Sequence, residues 1–393
     1  MNILQVISDL SRRAGGPAQA VLEVSQALVR KGHAISIFGI SDAPAQKSEI
    51  ARGIEIRSFP REWSFRYRYS GAFREALEHE IQKFDLVHIH GVWTYPTFAA
   101  SRIAKKAEVP YILRPCGMLD AYSLSHHALR KKLYYSLIEK ITLRNAAAIH
   151  FTTQEEKESA SAIRNILDSK FVVVPLGLEL ESYTHLPPRG SIRNRVLGLE
   201  NKKIILFLGR VNFKKGLDLL IRAFSKLVKE RSDIHLIIAG PDDEGYGKKL
   251  DQWIRDEKIQ TDVTRLGFVE GGQKLSLFSD SDIFCLPSHQ ENFGLAVLEA
   301  MAAGLPVLVS EHVNLSEEIG KQGAGLVTSL GIEEIAGALN KLLEDDTLRY
   351  QMGAHGKALV RREYSWDLIS EWWIRLYEDV SLQVVTRLMP EPV

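Results

Sequence analysis

The feature that most constrains this chain is the alternation of short apolar runs with longer segments of helical periodicity. Six runs in the first half are typical of buried strands: 3–8, 34–40, 86–91, 111–115, 147–152 and 171–175. Segment 18–33, with Gly32 at a C′ position, is typical of the helices between them. Strands that alternate with helices in this way predict a parallel sheet with helices on both faces.

The alternation stops and then begins again, which predicts a second domain. Residues 185–203 contain two prolines, two glycines and little apolar periodicity, as a linker does. Five further strands are predicted beyond this segment, at 204–209, 234–240, 263–268, 282–287 and 306–310. We therefore expect an α/β fold in which two Rossmann-like, doubly wound domains, residues 1–184 and 204–365, face a cleft.

The end of the chain carries an aromatic stripe. Trp366, Trp372, Trp373 and Tyr377 recur at roughly helical spacing. Because large aromatic side chains are normally buried against existing structure, we expect a C-terminal helix, about 366–393, that packs across the domain junction and crosses back to the first domain.

Composition narrows the class of protein and its compartment. A formal charge of +1 gives no general attraction to nucleic acid, so no nucleic-acid partner is predicted. Cys116 and Cys285 are too few for a disulfide framework, which favours a reducing cytoplasm. The first residues lack the basic start of a signal peptide, and no apolar run reaches the roughly 18 residues of a membrane span. We expect a cytoplasmic protein, with any membrane contact peripheral, on the inner face of the cytoplasmic membrane.

Segment 289–304, HQENFGLAVLEAMAAG, places two glutamates in an apolar run. Glu291 precedes a predicted helix that Gly304 closes, at the edge of a parallel sheet where ligands bind. The free N–H groups at such a helix start form an anion site. Glu299 lies two turns into the helix, where a buried carboxylate needs a partner. From the residues alone, Glu299 either binds a ligand diol or pairs with a core arginine, and Glu291 either contacts a ligand or favours the helix dipole.

A second segment, 209–224, follows a predicted strand and opens another helix. Arg210 stands at the strand end, and Lys215 follows one short loop later. Two cations beside a helix N-terminus suit a doubly charged group such as a diphosphate. Lys214, by contrast, is consistent with a solvated basic loop.

The two segments together resemble the donor site of glycosyltransferase family 4. The resemblance is carried by GRxxxxKG at 209–216 and by PSxxENFGLxxLEAMAxGxPV at 287–307, with Glu291 and Glu299 at the family's Glu-x7-Glu spacing. Members of this family are retaining enzymes with the GT-B fold. The resemblance implies transfer of a hexose from a nucleotide diphosphate sugar, UDP-glucose before other UDP-hexoses or GDP-mannose. The implied acceptor is a glycan or lipid-linked saccharide in polysaccharide biosynthesis, such as exopolysaccharide assembly.

Carried over to this sequence, the resemblance also implies residue roles. Arg210 and Lys215 would bind the diphosphate, Glu299 the ribose hydroxyls and Glu291 the transferred sugar, so that Glu291, Arg210 and Lys215 are the catalytic residues. The remaining donor-binding residues that the resemblance implies are Gly15, Gly16, Val269, Asn292, Phe293, Gly294 and Leu295.

The implied mechanism is front-face departure of the nucleotide, with the acceptor hydroxyl attacking from the same side and a diphosphate oxygen taking its proton. Glu291 as a covalent nucleophile is the alternative. Because Arg210, Lys215 and helix ends already supply positive charge, neither a metal ion nor another cofactor is predicted. Asp280-Ser281-Asp282 matches the Asp-x-Asp metal motif of other glycosyltransferases, but it directly precedes an apolar strand and is interpreted as a chance match.

The acceptor side is predicted in the first domain. His90 lies at the end of the strand at 86–91, Trp93 follows that strand, and Arg114 ends the next one. Such groups suit a sugar acceptor, although a satisfied structural histidine fits the pattern equally well. Several relatives carry a histidine where Cys116 stands, so Arg114 or His90 is expected to take the polar role and Cys116 to serve packing.

Segment 126–148 is basic and aromatic. Its cations and tyrosines are Arg130, Lys131, Lys132, Tyr134 and Tyr135, and its apolar residues at helical spacing are Leu133, Leu137 and Ile141. Such a helix either presents a solvated face or lies on an anionic membrane surface, which would suit a lipid-linked acceptor.

Other functions remain open at this stage. The alternatives are a GT-B nucleotide-sugar epimerase or phosphorylase, and a non-catalytic protein that binds nucleotide sugars. A dinucleotide oxidoreductase is disfavoured, because neither first strand–helix turn reads G-x-G-x-x-G.

Overall fold

The computed structural model of the chain describes residues 1–11, 15–42, 46–63, 67–120, 123–124, 128–160, 170–194, 198–242 and 245–388. The chain forms two compact units, one of Met1–Gly177 with Trp366–Val393 and the other of Leu178–Ser365.

The first unit is built on an eight-stranded sheet. Its strands, β1 to β8, are Asn2–Ile7, Ala34–Ser41, Lys47–Ala51, Ile54–Pro60, Leu86–His90, Tyr111–Arg114, Ala148–Phe151 and Phe171–Val173. They lie in the order β3-β4-β2-β1-β5-β6-β7-β8, and every neighbouring pair is parallel except β3 with β4. Ile7, His90 and Arg114 lie side by side in register, so the carboxyl ends of β1, β5 and β6 meet at one edge.

In the described part of the first unit, the α-helices between these strands, α1 to α6, are Gly16–Arg30, Gly71–Glu80, Tyr95–Lys106, Ala128–Tyr134, Lys140–Asn145 and Gln154–Ser159. A π-helical turn, Tyr135–Glu139, joins α4 to α5. Helix α1 is preceded by Gly15 with φ of 77°, and Gly32 lies just beyond its end with φ of 88°. The left-handed backbone at Gly32 confirms the predicted C′ glycine.

The second unit is a six-stranded, wholly parallel sheet in the order β11-β10-β9-β12-β13-β14. Its strands, β9 to β14, are Lys203–Leu208, Ile234–Ala239, Val263–Gly267, Ile283–Leu286, Val307–Ser310 and Gly325–Thr328. Its helices, α7 to α14, are Glu181–Thr184, Leu217–Val228, Gly247–Asp256, Gly271–Asp280, Leu295–Ala302, Ser316–Lys321, Ile332–Glu344 and Asp346–Glu363. The strand order reverses between β9 and β12, so their carboxyl ends form the topological switch point where such sheets bind ligands.

The last helix, α15 at Trp366–Leu388, belongs to the first unit. Trp366 Nε1 donates to Glu23, and Trp373 Nε1 donates to the carbonyl oxygen of Pro175 at 3.1 Å. A Cβ atom on Gly177 would lie 2.6 Å from the Trp366 indole, so only glycine permits this contact. The predicted return of the C-terminal helix to the first domain is confirmed. Residues 389–393, also assigned to that helix, lie outside the described part of the chain.

Three strands were not predicted. Strand β3 is polar and exposed, β4 is only half-buried, and β14 is four residues long. Because edge strands and short strands bury few apolar side chains, they lack the apolar runs on which the prediction relied.

Residues 185–203, predicted as a linker, pack against the second unit. Arg193 is buried, and its guanidinium donates to the carbonyl oxygens of Leu199, Lys202 and Asp280. Polar contacts with the backbone thus hold this segment, and such contacts leave no apolar periodicity in the sequence. Within the segment, residues 195–197 lie outside the description.

Candidate active site

Two loops at the switch point of the second unit carry the predicted diphosphate site. The loop after β9 holds Arg210 and Lys215 and ends at Gly216, whose φ is 66°. A Cβ atom at Gly216 would lie 1.9 Å from the carbonyl oxygen of Pro287, in the loop after β12. The His289 backbone N–H also donates to the Lys214 carbonyl at 2.7 Å. The glycine therefore allows the two loops to pack directly on each other.

Lys215 and Glu291 form an ion pair that joins these loops. The side chains are 16% and 15% exposed, so the pair is shielded but still reaches the surface. The Glu291 backbone is fixed as well, because its N–H donates to His312 and its carbonyl accepts from Asn314. The structure thus brings together two of the three predicted catalytic residues, and Arg210 lies at the start of the same loop as Lys215.

The helix after Glu291 begins as the sequence predicts. Gly294 directly precedes Leu295, the first residue of α11, and has φ of 77°. Glycine adopts a positive φ without strain, so it suits this position. The Gly294 carbonyl accepts from Val297 and Leu298, and the first turn of α11 contains no acidic residue. Its N-terminal N–H groups therefore add partial positive charge beside the Lys215–Glu291 pair.

Glu299 has a partner that the sequence analysis missed. Its carboxylate is 5% exposed and lies 2.6 Å from Lys274 Nζ, on α10, rather than beside a core arginine. The sequence offers little signal for Lys274, because Glu299 and Lys274 lie on different helices and their contact depends on packing. The Glu299 carboxylate oxygens can also accept hydrogen bonds from hydroxyl groups of a ligand.

Phe293 and Val269 are both buried. Phe293 packs edge-on against Tyr364, and Val269 lies between β11 and α10. Asn292 and Leu295 flank Phe293 and Gly294 in the same loop and helix start. The remaining predicted donor residues, Gly15 and Gly16, lie at the start of α1 in the other unit.

The two aspartates of the Asp-x-Asp match hold protein groups. Asp280 is fully buried and accepts from the backbone N–H groups of Gly190, Ile192 and Arg193. Asp282 forms an ion pair with Arg193 at 3.0 Å. Across the described residues, no group of three or more His, Cys, Asp or Glu side chains is arranged to hold a metal ion.

In the first unit, His90 and Arg114 are buried at the ends of neighbouring strands. His90 is 2% and Arg114 is 3% exposed. His90 Nε2 lies 2.7 Å from Gln5 Oε1, and His88 stacks on the His90 ring. Burial, followed by the charge of Arg114, lowers the pKa of His90 well below its usual value, so His90 is neutral at pH 7.

Trp93 has a backbone φ of 69°, and two contacts hold it there. Its N–H donates to Glu139 Oε1 at 2.7 Å, and its indole Nε1 donates to the Met118 carbonyl. Burial raises the pKa of Glu139 to about 7. The sequence analysis missed Glu139, which lies in the π-helical turn within a basic segment and matches no motif.

Cys116, for which the sequence predicts a packing role, is partly buried. Burial raises the pKa of its thiol, which keeps the group in the unreactive thiol form. Its Sγ lies 3.5 Å from the carbonyl oxygen of Arg114.

The basic segment forms α4, the π-helical turn and α5, and it exposes an apolar stripe. Leu129, Leu133, Leu137 and Ile141 are 86%, 63%, 62% and 41% exposed. Positions 126 and 127 of the predicted segment lie outside the described residues. Among the helices described, none combines the length and apolar character that crossing a bilayer requires.

Two α/β units, each built on a largely parallel sheet, are the architecture of GT-B glycosyltransferases. The family pattern named Glycosyl transferase 4-like domain matches residues 15–177, and the pattern named Glycosyl transferases group 1 matches residues 189–359. The chain belongs to this glycosyltransferase family.

Full-length relatives agree with this assignment. An uncharacterized glycosyltransferase, MJ1607 of Methanocaldococcus jannaschii, is 27% identical over 96% of this chain and 97% of its own. Phosphatidyl-myo-inositol mannosyltransferase of Mycolicibacterium smegmatis is 27% identical over 93% of this chain and 91% of its own. The crystal structure of Anabaena HepE with UDP and glucose has a TM-score of 0.79 and 17% identity, covering 96% of this chain and 99% of that one.

Proposed function

We propose that this protein is a retaining, metal-independent hexosyltransferase that uses a nucleotide diphosphate sugar, with UDP-glucose as the first candidate donor. The observation that carries the proposal is the Lys215–Glu291 ion pair at the switch point, with Arg210 in the same loop and the N-terminus of α11 beside it. The complex of HepE with UDP and glucose, a protein of similar fold, supports the choice of donor.

The charges of this site suit a leaving diphosphate. Lys215 has three N–H donors, so it can bind a phosphate oxygen while it keeps Glu291 nearby. An opposite charge at about 4 Å contributes roughly 4 kcal/mol at an effective dielectric of about 20. Each roughly 1.4 kcal/mol felt only by the charge that develops on the leaving group speeds its departure about tenfold. Arg210, Lys215 and the α11 N–H groups therefore favour the departing nucleotide.

Glu291 and Glu299 take different roles in this proposal. Once Lys215 contacts the diphosphate, the Glu291 carboxylate accepts hydrogen bonds from hydroxyls of the transferred sugar. Glu299, held in place by Lys274, accepts hydrogen bonds from both ribose hydroxyls. Backbone groups of Val269 then contact the base.

The transfer step breaks the bond between the anomeric carbon and the diphosphate oxygen. The acceptor oxygen forms its bond to the same carbon from the same face, and the released diphosphate takes the acceptor's proton. Protons and charge balance without an enzymic nucleophile, so Glu291 serves in substrate binding rather than in covalent catalysis.

The first unit supplies the acceptor side in this proposal. Trp93 offers an aromatic surface for a sugar ring, and His90 and Arg114 offer polar groups at neighbouring strand ends. Gly15 and Gly16 lead into α1, whose N-terminal N–H groups would bind an anionic group. The acceptor is a glycan or a lipid-linked saccharide in polysaccharide biosynthesis, and the relative that acts on phosphatidyl-myo-inositol supports the lipid-linked form.

The test combines binding with product analysis. Calorimetric titration with UDP and with GDP identifies the base, and a panel of UDP-sugars with EDTA present identifies the transferred hexose. We expect UDP to bind without a metal ion and NMR to show that the anomeric configuration of the product is kept. A product with inverted configuration, or UDP binding that needs magnesium, would overturn the proposal, and release of an epimerised or phosphorylated sugar would favour the alternative enzymes.

Variants locate the site. Lys215→Ala should weaken UDP binding at least tenfold, because the diphosphate loses a direct cationic contact. Lys214→Ala is the matched control, since Lys214 is the adjacent lysine and contacts Gln290 instead. Equal effects of the two substitutions would show that the site responds only to general charge.

A further inference from the structure

A cluster of six polar side chains lies buried in the first unit, and we call it the strand-end cluster. Its members are Gln5, His88, His90, Arg114, His150 and Tyr377. Four of them come from the sheet strands β1, β5 and β7, Arg114 ends β6, and Tyr377 comes from α15. Within the described residues, hydrogen bonds link every member except Arg114.

The Val174 carbonyl determines which atom is the donor in each of these hydrogen bonds. His150 Nε2 lies 2.7 Å from the Val174 carbonyl oxygen, which can only accept, so Nε2 carries the hydrogen. In a neutral ring, His150 Nδ1 then accepts from His88 Nε2. His88 Nδ1 accepts in turn from the Tyr377 hydroxyl at 2.9 Å.

The hydrogen bonds continue from Tyr377 through Gln5 to His90. Tyr377 has donated its one hydrogen, so its oxygen accepts from Gln5 Nε2 at 3.1 Å. Gln5 Oε1 then accepts from His90 Nε2 at 2.7 Å. His90 Nδ1 is left as a bare acceptor, and in the described part of the chain it has no hydrogen-bond partner.

The histidines are neutral, as this arrangement requires. Burial lowers the pKa of all three, to about 3 for His150 and well below the usual value for His88 and His90. The charge of Arg114 lowers each of them further. A histidine side chain is either neutral or cationic, so none in the cluster can neutralise the charge of the Arg114 guanidinium.

Within the described residues, Arg114 is a buried cation without a counterion. Its Nε and Nη1 atoms are buried and make no hydrogen bond within the described ranges. Glu156, like Arg114, affects the pKa of the Cys116 thiol. Its carboxylate already has other partners, because Oε1 accepts from the Gly117 N–H and Oε2 accepts from the Thr152 N–H and hydroxyl. Burial of a charge without a counterion is strongly unfavourable, so such a group is expected to gain an anionic partner when the protein functions.

We propose that Arg114 binds an anionic group, a phosphate or a carboxylate, of a saccharide substrate at the strand ends of the first unit. His90 lies opposite Arg114 on the neighbouring strand. Its Nδ1 atom would accept a hydrogen bond from a hydroxyl of the same ligand. This inference rests on the proposed glycosyltransfer. The anion belongs either to an acidic acceptor, such as a sugar phosphate or uronic acid, or to the diphosphate of the donor.

Calorimetric titrations of the full chain test the proposal with four probes: glucose 6-phosphate, glucuronate, neutral glucose and UDP. For an acidic acceptor, we expect glucose 6-phosphate or glucuronate to bind at least tenfold more tightly than glucose, and Arg114→Gln to remove this difference while UDP affinity stays within twofold. For the donor diphosphate, Arg114→Gln should weaken UDP binding at least tenfold. Unchanged affinity for all four probes in Arg114→Gln would overturn the inference.

Stability gives an independent readout. Because Arg114 is unpaired, Arg114→Met should raise the Tm of the ligand-free protein. Arg57→Met is the matched control, since Arg57 is a partly buried arginine of the same unit that pairs with Glu80, and its loss should lower the Tm. A lower Tm in both variants would show that Arg114 is a structural cation and would also overturn the inference.

The two proposals fail separately. Loss of UDP binding in Lys215→Ala depends on the second unit alone and tests the donor site. If Lys215→Ala loses UDP binding while Arg114→Gln changes the affinity of no probe, the proposed function stands and only the assignment of Arg114 is lost.

Discussion

At the scale of single residues, two side chains of the candidate sites depend on partners from other elements of the fold. Lys274 approaches Glu299 from another helix, and Glu139 approaches Trp93 from a π-helical turn.

Substitutions of Glu291 and Glu299 should change different quantities, kcat in one case and UDP affinity in the other. Glu299→Gln keeps the shape of the side chain but loses the charge that favours ribose hydroxyls and Lys274, so UDP affinity should fall about tenfold. Glu291→Gln should lower kcat for transfer at least tenfold with little change in UDP affinity. Calorimetry and steady-state kinetics measure the two effects, and identical profiles for both variants would contradict the assigned roles.

Glu139 should make folding stability depend on pH. Burial raises its folded-state pKa from 4.5 to about 7, so its stabilising contribution is complete below pH 4.5 and is lost as the pH rises through 7. Glu139→Gln still accepts the Trp93 N–H, and relative to wild type it should gain up to about 3 kcal/mol of unfolding free energy between pH 4.5 and 8.

Urea unfolding at pH 4.5 and pH 8 measures this difference. Glu158→Gln is the control, since Glu158 is an exposed glutamate of the same unit. If the unfolding free energies of wild type and Glu139→Gln change equally with pH, the raised pKa assigned to Glu139 is wrong.

At the scale of elements, apolar periodicity predicted the buried strands and the helices between them but missed the polar strands β3 and β4 and the short strand β14. The same limit applies to residues 185–203, which Arg193 and Asp280 hold by polar contacts. Periodicity also predicted a helix in the basic segment, and the structure adds that Leu129, Leu133 and Leu137 are exposed rather than buried. Spacing alone does not distinguish an apolar face that packs from one that stays free.

The exposed stripe of α4 and α5 should bind anionic membranes. Leu129, Leu133 and Leu137 would insert their side chains while the exposed cations Arg130 and Lys132 contact lipid headgroups. Each cation near an anionic surface contributes about 1 kcal/mol, so replacing these two with glutamine should reduce liposome flotation more than tenfold.

Vesicles with and without anionic lipid, floated with wild type and variant, measure this binding. Lys105→Gln with Lys106→Gln is the control, because these exposed lysines lie at the end of α3 in the same unit. Flotation that does not depend on anionic lipid, or that the control lowers equally, would rule out this surface.

At the scale of the whole molecule, the chain leaves the first unit at Gly177 and re-enters it at Trp366. Helix α15 is therefore part of the first unit's core, with Trp366, Trp373 and Tyr377 buried there. Tyr377 also supplies one link in the hydrogen bonds that set the tautomer of His90. The last helix in sequence thus completes the first domain in space.

Deleting residues 366–393 should destabilise the first unit alone. Hydrogen exchange should show faster exchange in β1, β5 and β7, which lose their contacts with α15, and unchanged protection in β9 and β12. A milder change, Tyr377→Phe, should disturb the His90 tautomer seen in nitrogen-15 NMR. Tyr111→Phe, which removes a buried hydroxyl bonded to Thr142 instead, should leave that tautomer unchanged.

The sequence by itself determined that the chain folds into two Rossmann-like units, where their strands end, and which residues stand at those ends. These features depend on the spacing of apolar, glycine and charged residues along a local stretch of chain. The tertiary structure decided which buried polar groups meet: Glu299 with Lys274, Asp280 with residues 190–193, and Arg114 with no counterion in the described residues. Such pairings join positions far apart in sequence, and only packing sets the distance between them.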